Sequence, residues 1–170
     1  MSAVAVSQQW TEASPDEGAG TQLPTVTAPE LLLARTAVEE VQRATLGALP
    51  REACGLLVGR ETGGVREIMA APVARNIAAS VDRFQVHPAD QLEIEREAAR
   101  LGLQVLGCWH SHPRSRALPS GTDQAAALDG WSHLIAGRTP GGREELRSWR
   151  QVPGLGLVEE PLRVAPQRPR

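Results

Sequence analysis

The residues best placed to do chemistry are His110-Ser111-His112-Pro113, followed by Ser120 and Asp123, with Glu52 far upstream in Pro50-Arg51-Glu52-Ala53-Cys54-Gly55. Together they supply three metal ligands, a base and a hydroxyl that can meet an oxyanion, the working parts of a zinc hydrolase. Val105-Leu106-Gly107-Cys108-Trp109 is apolar and runs up to the histidines, which predicts a buried strand delivering His110 and His112 at its end. Residues two apart on a strand share a face. Both imidazoles can therefore reach one ion, and Asp123 can complete a three-ligand set whose fourth position stays open to water. Ser120-Gly121-Thr122-Asp123 leads into Gln124-Ala125-Ala126-Ala127-Leu128, which predicts a helix with Ser120 as N-cap and Asp123 in its first turn.

Each piece has a plainer reading. Histidines two apart beside a proline also occur as surface turn residues, Ser120 with Asp123 is also an ordinary helix cap, and a lone Glu is most often a solvated charge. Their coincidence reverses that balance. Glu52 sits where polar residues meet the apolar run Gly55-Leu56-Leu57-Val58-Gly59, so its carboxylate can reach into a site. Cys108 shares strand parity with His110 and His112, which leaves a Cys-His-His ligand set open, although cysteine is also among the most buried residue types. Ser111, between the histidines, should face the other way and make a structural hydrogen bond.

On these motifs the chain resembles the JAMM (MPN-plus) metalloprotease family, whose zinc motif joins a distant Glu to His-x-His-Pro and then to Ser and Asp. The resemblance runs over roughly residues 28–150 and is carried by segments 52–59, 107–113 and 145–150 together with Asn76. It implies that His110, His112 and Asp123 bind one Zn2+, that Glu52 is the general acid/base and that Ser120 helps stabilise the oxyanion. It also implies the cytidine-deaminase-like core that such domains share. Compact bacterial members resemble enzymes that cleave after the Gly-Gly tail of sulfur-carrier proteins. The implied partner is thus a ubiquitin-like or sulfur-carrier protein, its extended tail added to a sheet edge beside the zinc site. Asn76 matches a family Asn near the active site and is expected to contact substrate. Two other classes compete. A non-catalytic interaction module on the same fold is disfavoured because no ligand position is missing, and a zinc deaminase would need His-x-Glu and Pro-Cys-x-x-Cys, neither of which occurs.

The elements that position these groups follow from patterning. Residues 1–26 are polar and aperiodic and predict a mobile leader, residues 27–152 the JAMM/MPN domain, and residues 153–170, rich in Gly and Pro, an irregular tail. Thr27, with Glu30 three residues on, predicts the cap of a first helix carrying Leu31, Ala34, Val38, Val41 and Thr45 on one face. Leu56-Leu57-Val58 and Glu67-Ile68-Met69-Ala70 predict a hairpin turning at Thr62-Gly63-Gly64. Pro88 opens a second helix ending near Gly102. The histidine strand and the Ala125 helix follow, and then two strands, Trp131 to Ala136 and Glu145 to Gln151. That order indicates an α/β domain with a single mixed β-sheet flanked by helices.

Composition bounds the rest. A chain of 170 residues, 41% of them hydrophobic, suits one compact domain plus tails. A net charge of -2 gives no electrostatic footprint for nucleic acid, and with no Tyr and Phe84 as the only Phe there is no aromatic platform for single strands. All 18 basic residues are Arg, so the protein has no lysine of its own to carry an isopeptide-linked modifier. No stretch resembles a membrane span or an export signal, and a cytoplasmic location is expected. Cys54 and Cys108 are too few for a disulfide framework. His87, before Pro88 at a helix start, is expected to cap, and His133, in an apolar run, to be a satisfied core histidine. A homodimer is compatible with such a domain, and no residue compels one.

Overall fold

The structure, a computed structural model, describes residues 30–166. The expected leader and Thr27 lie outside these residues. The first described element is a strand, β1 (Glu30–Leu33), and helix α1 (Arg35–Ala48) follows it. This corrects the expectation of a helix from Thr27 onward. Leu31 and Leu33 are fully buried while Glu30 and Leu32 are half-buried, a period of two. β1 pairs in parallel with two other strands, so tertiary pairing overrides the local cap-like spacing. α1 starts without a side-chain cap and buries Ala37 and Val41.

The predicted hairpin is present as β2 (Cys54–Thr62) and β3 (Val65–Ala70), antiparallel. Gly63 and Gly64 turn it with φ of 59° and 82°, the paired positive values of a tight hairpin turn that glycine adopts without strain. A short β4 (Val73–Ala74) pairs with the start of β2. Helix α2 (Pro88–Arg100) begins where expected, with the His87 ring nitrogen accepting from the Ala89 N–H at 3.2 Å. Then come β5 (Gln104–Ser111), the short α3 (Gly121–Ala126), β6 (Ser132–Arg138) and β7 (Glu144–Val152).

The segment expected to be an irregular tail instead forms β8 (Gly156–Glu160) and β9 (Leu162–Val164). Gly154 and Gly156, both with φ of 78°, are the turn from β7 into β8 rather than a sign of irregular chain. The sheet order is β8-β7-β6-β5-β2-β3-β1-β9, with β4 beside β2. It is mixed: β5 runs antiparallel to β2 and parallel to β6. α1 packs against β3 and β6, and α2 against β2 and β5.

Strand alternation divides the sheet. Leu57, Trp109 and Leu134 join Ala37 and Val41 of α1 in one hydrophobic cluster. Cys54, Leu56, Cys108, His110, His133 and Ile135 fall on the opposite face by their register. Gly55 is required beneath Trp109, because a Cβ there would collide with Nε1 of that indole and with the Pro72 carbonyl. Among the described residues no helix is long and apolar enough to cross a membrane.

Candidate metal centre

β5 carries His110 to its end and the chain delivers His112 two residues later, both buried. Asp123 arrives from the other side as the third residue of α3. A reciprocal cap fixes it there: Ser120 Oγ accepts from the Asp123 N–H at 3.2 Å, and an Asp123 carboxylate oxygen accepts from the Ser120 N–H at 2.6 Å. His110 Nε2 lies 3.1 Å from His112 Nε2 and 3.4 Å from Asp123 Oδ1, and His112 Nε2 lies 3.5 Å from Asp123 Oδ2. A tetrahedral zinc ion with bonds of about 2.0–2.1 Å holds its ligand atoms about 3.3–3.4 Å apart. The three side chains therefore already outline one face of such a tetrahedron, and their donor set of two imidazoles and a carboxylate suits zinc.

The electrostatics fit the same use. Burial pushes the His110 pKa down, against the pull of Asp123, which favours the neutral imidazole that a metal needs. At His112 burial acts the same way but is outweighed by Asp123, the Arg116 carbonyl and Glu52, so its pKa rises. Burial would raise Asp123, yet the hydrogen bonds from His110, His112 and Ser120 hold its carboxyl far below the usual carboxylate range. Glu52 is 6% exposed, with Oε1 3.9 Å from His112 Nε2. Burial first, then Asp123 and Asp82 against an opposing His112, push its pKa up to about 7. A carboxylate whose pKa in the metal-free chain lies near neutrality, beside a group of residues that could hold a metal, is suited to taking and returning a proton.

The remaining predicted residues sort clearly. Ser111 faces away from the ligands, and its Oγ accepts from the Ala53 N–H at 2.8 Å, pinning the residue after Glu52 to β5. Asn76 is not free for substrate. Its Nδ2 donates to the carbonyls of Glu52 and Arg83, each at 2.9 Å, and its Oδ1 accepts from Ala78 and Gln85 N–H, each at 3.0 Å. Cys108 lies outside the ligand cluster; its Sγ is 3.3 Å from Nδ1 of His133, and burial pushes the thiol up to about 12. Burial likewise raises Cys54 to about 12, so neither sulfur is a thiolate near neutrality. His133 is a core histidine only half satisfied, because its Nε2 has no partner among the described residues.

Sequence reasoning missed Phe84, whose ring stacks on His110. Its position before His87-Pro88 carries no spacing signal towards the histidines. A recess of about 220 Å3 opens between the Phe84 loop and α3, lined by Ser120, Asp123, Cys108 and His133 among others. β5 has partners on both sides, so a substrate tail cannot add to the histidine strand itself.

Comparison with known proteins places the chain. Residues 33–152 match the profile described as prokaryotic homologs of the JAB domain. Over 120 residues the chain is 35% identical to a CysO-cysteine peptidase of Mycobacterium tuberculosis, covering 69% of this chain and 80% of that one. It is 32% identical over 105 residues to a desampylase of Haloferax volcanii, covering 61% of this chain and 73% of that one. The solution structure of a protein from Desulfitobacterium hafniense superposes with a TM-score of 0.73 at 30% identity, across 81% of this chain and 94% of that one.

Proposed function

The chain belongs to the prokaryotic JAB-domain family, and from that premise we propose that it is a zinc-dependent peptidase or isopeptidase that hydrolyses the amide bond after the C-terminal tail of a ubiquitin-like or sulfur-carrier protein. The observation that carries this reading is the convergence of His110, His112 and Asp123 on tetrahedral spacing with the Glu52 carboxylate beside them. The names of the relatives, a CysO-cysteine peptidase and a desampylase, support a small protein conjugate as substrate.

His110, His112 and Asp123 would hold the ion. Zinc, when bound, supplies Lewis-acid polarisation of a carbonyl and lowers the pKa of water from 15.7 towards about 7. Glu52, whose Oε1 lies 3.9 Å from His112 Nε2, takes the proton of the attacking water and returns it to the leaving amine. Ser120 Oγ accepts one hydrogen bond from Asp123 N–H, which leaves its own proton free to donate to the carbonyl oxygen as charge builds there. Burial of all four acidic and imidazole groups excludes bulk water and strengthens each of these interactions.

The test is zinc content together with cleavage of a small ubiquitin-like protein extended beyond its Gly-Gly tail, comparing the parent with Glu52→Gln and with a chelated sample. Near-stoichiometric zinc in parent and variant, with cleavage only by the unchelated parent, is the expected result. A zinc-loaded Glu52→Gln protein that still cleaves would remove Glu52 from its assigned role. A parent that binds no zinc would favour the non-catalytic module, whereas zinc without cleavage would rule out the tested conjugate as substrate or point to a gated site.

A further inference from the structure

We infer that Phe84 orients His110 for the metal, filling by ring stacking the place that a hydrogen-bond partner fills for His112. The inference rests on the metal-site reading above. A histidine that ligates through one ring nitrogen ordinarily donates the other N–H to a carbonyl, a carboxylate or water, which fixes the ring's rotation. His112 does so: its Nδ1 lies 3.0 Å from the Arg116 carbonyl. His110 does not. Its Nε2 faces Asp123 and His112, while its Nδ1 is buried with no partner among the described residues.

What lies against this ring is Phe84, with centroids 4.3 Å apart and planes inclined by 16°. A stack that close blocks rotation of the imidazole about its bond to Cβ, which is the freedom a hydrogen bond would otherwise remove. Phe84 is itself held on both sides. Asn76 Nδ2 donates to the carbonyl of Arg83 and Asn76 Oδ1 accepts from the N–H of Gln85, the two residues flanking Phe84. Ile77 N–H adds a bond to the Gln85 carbonyl at 2.9 Å. The same Asn76 Nδ2 also donates to the Glu52 carbonyl, so one amide ties the loop that orients a ligand to the segment that carries the base. Asn76 and Phe84 are thus positioning residues, acting through His110 and Glu52 rather than on substrate.

The experiment measures metal binding directly in the full chain. Phe84→Leu keeps an apolar side chain and removes the ring; its zinc dissociation constant, read by competition with a chelating indicator, should rise about 10- to 100-fold. The visible absorption of the cobalt-loaded variant should differ from the parent's, while Phe84→Tyr should retain both the affinity and the spectrum. The thermal midpoint of the metal-free Leu variant should stay near the parent's, since a purely structural role would move that midpoint and leave the cobalt spectrum alone. If Phe84→Leu fails to fold, Phe84→Met carries the same test, because it fills the space with an apolar chain and still removes the ring. A Leu variant with the parent's affinity and spectrum overturns the inference, and a parent that binds neither metal overturns the metal reading beneath it.

Discussion

Glu52 works against its own burial. Its pKa rises from an ordinary 4.5 to about 7 chiefly because the folded chain removes it from water, so between those values the folded state holds a proton that the unfolded state has released. Stability from this group is therefore fully present below about pH 4.5 and is lost as pH rises through about 7. The gap of roughly 2.5 pH units corresponds to about 3 kcal/mol at most. Glu52→Gln removes the ionisation, so the metal-free variant should match its parent near pH 4.5 and become progressively more stable than it towards pH 8. Thermal melts in chelator across that range check this, and comparing the two proteins at each pH cancels the titrating groups that do not interact with Glu52. A constant difference with pH would mean that Glu52 is solvated in the free protein. His112 shifts in the same direction and Asp123 in the opposite one, so the parent's own profile mixes signs; because Glu52 helps to raise His112, the difference between the two proteins carries the Glu52 ionisation together with its pull on His112.

At the scale of elements, α3 is too short to be stable alone, six residues being well under the length at which isolated helices persist. Its reciprocal cap does two jobs, because the Asp123 side chain that closes the cap also faces the histidines. Ser120→Ala should therefore cost about 1 kcal/mol of stability through the lost cap and, on the proposed oxyanion role, lower kcat about 100- to 1000-fold. Ser120→Thr, which keeps the hydroxyl, should recover most of both. Turnover numbers and melting temperatures of the two variants decide it, and an Ala variant that loses stability but keeps kcat would confine Ser120 to capping. This element was legible in the sequence because the cap, Asp123 and the apolar run all lie within a few residues of one another, as do His110 near the end of β5 and His112 just beyond it. β1 was not legible. Leu31, Leu32 and Leu33 follow a Thr-x-x-Glu spacing that mimics a helix start, and the partners that make them a strand come from residues 65–68 and 162–164, which no local pattern reports. Phe84 was hidden for the same reason: a stacking contact across the fold leaves no mark on spacing.

The whole molecule depends on the stretch that composition marked as irregular. Glu160 of β8 pairs with Ser148 of β7, and the next residue, Pro161, accepts a hydrogen bond from the Leu31 N–H of β1 at 2.9 Å. One segment bent at Pro161 thus connects the two ends of the sheet order. Pro is tolerated at that bend because the residue needs no N–H for either ladder. The segment is also anchored by buried groups. Leu157 is buried, and the Glu160 carboxylate accepts from Ser148 Oγ at 2.7 Å and from Arg150 Nε at 2.8 Å. Removing it would leave β1 without β9 and β7 without β8. It would also leave Arg150, one of whose nitrogens has no partner among the described residues, without its carboxylate in a half-buried site. A chain ending after Val152 should accordingly lose cooperative unfolding and zinc binding together, although His110, His112, Asp123 and Glu52 of the proposed site are all retained. The single substitution Leu157→Ala should lower stability by about 2–5 kcal/mol with the cluster's zinc stoichiometry unchanged. Circular dichroism melts of both proteins, with zinc content measured on the same samples, test the dependence. A truncated chain that melts cooperatively at the parent's temperature would show that the sheet stands without its closing segment.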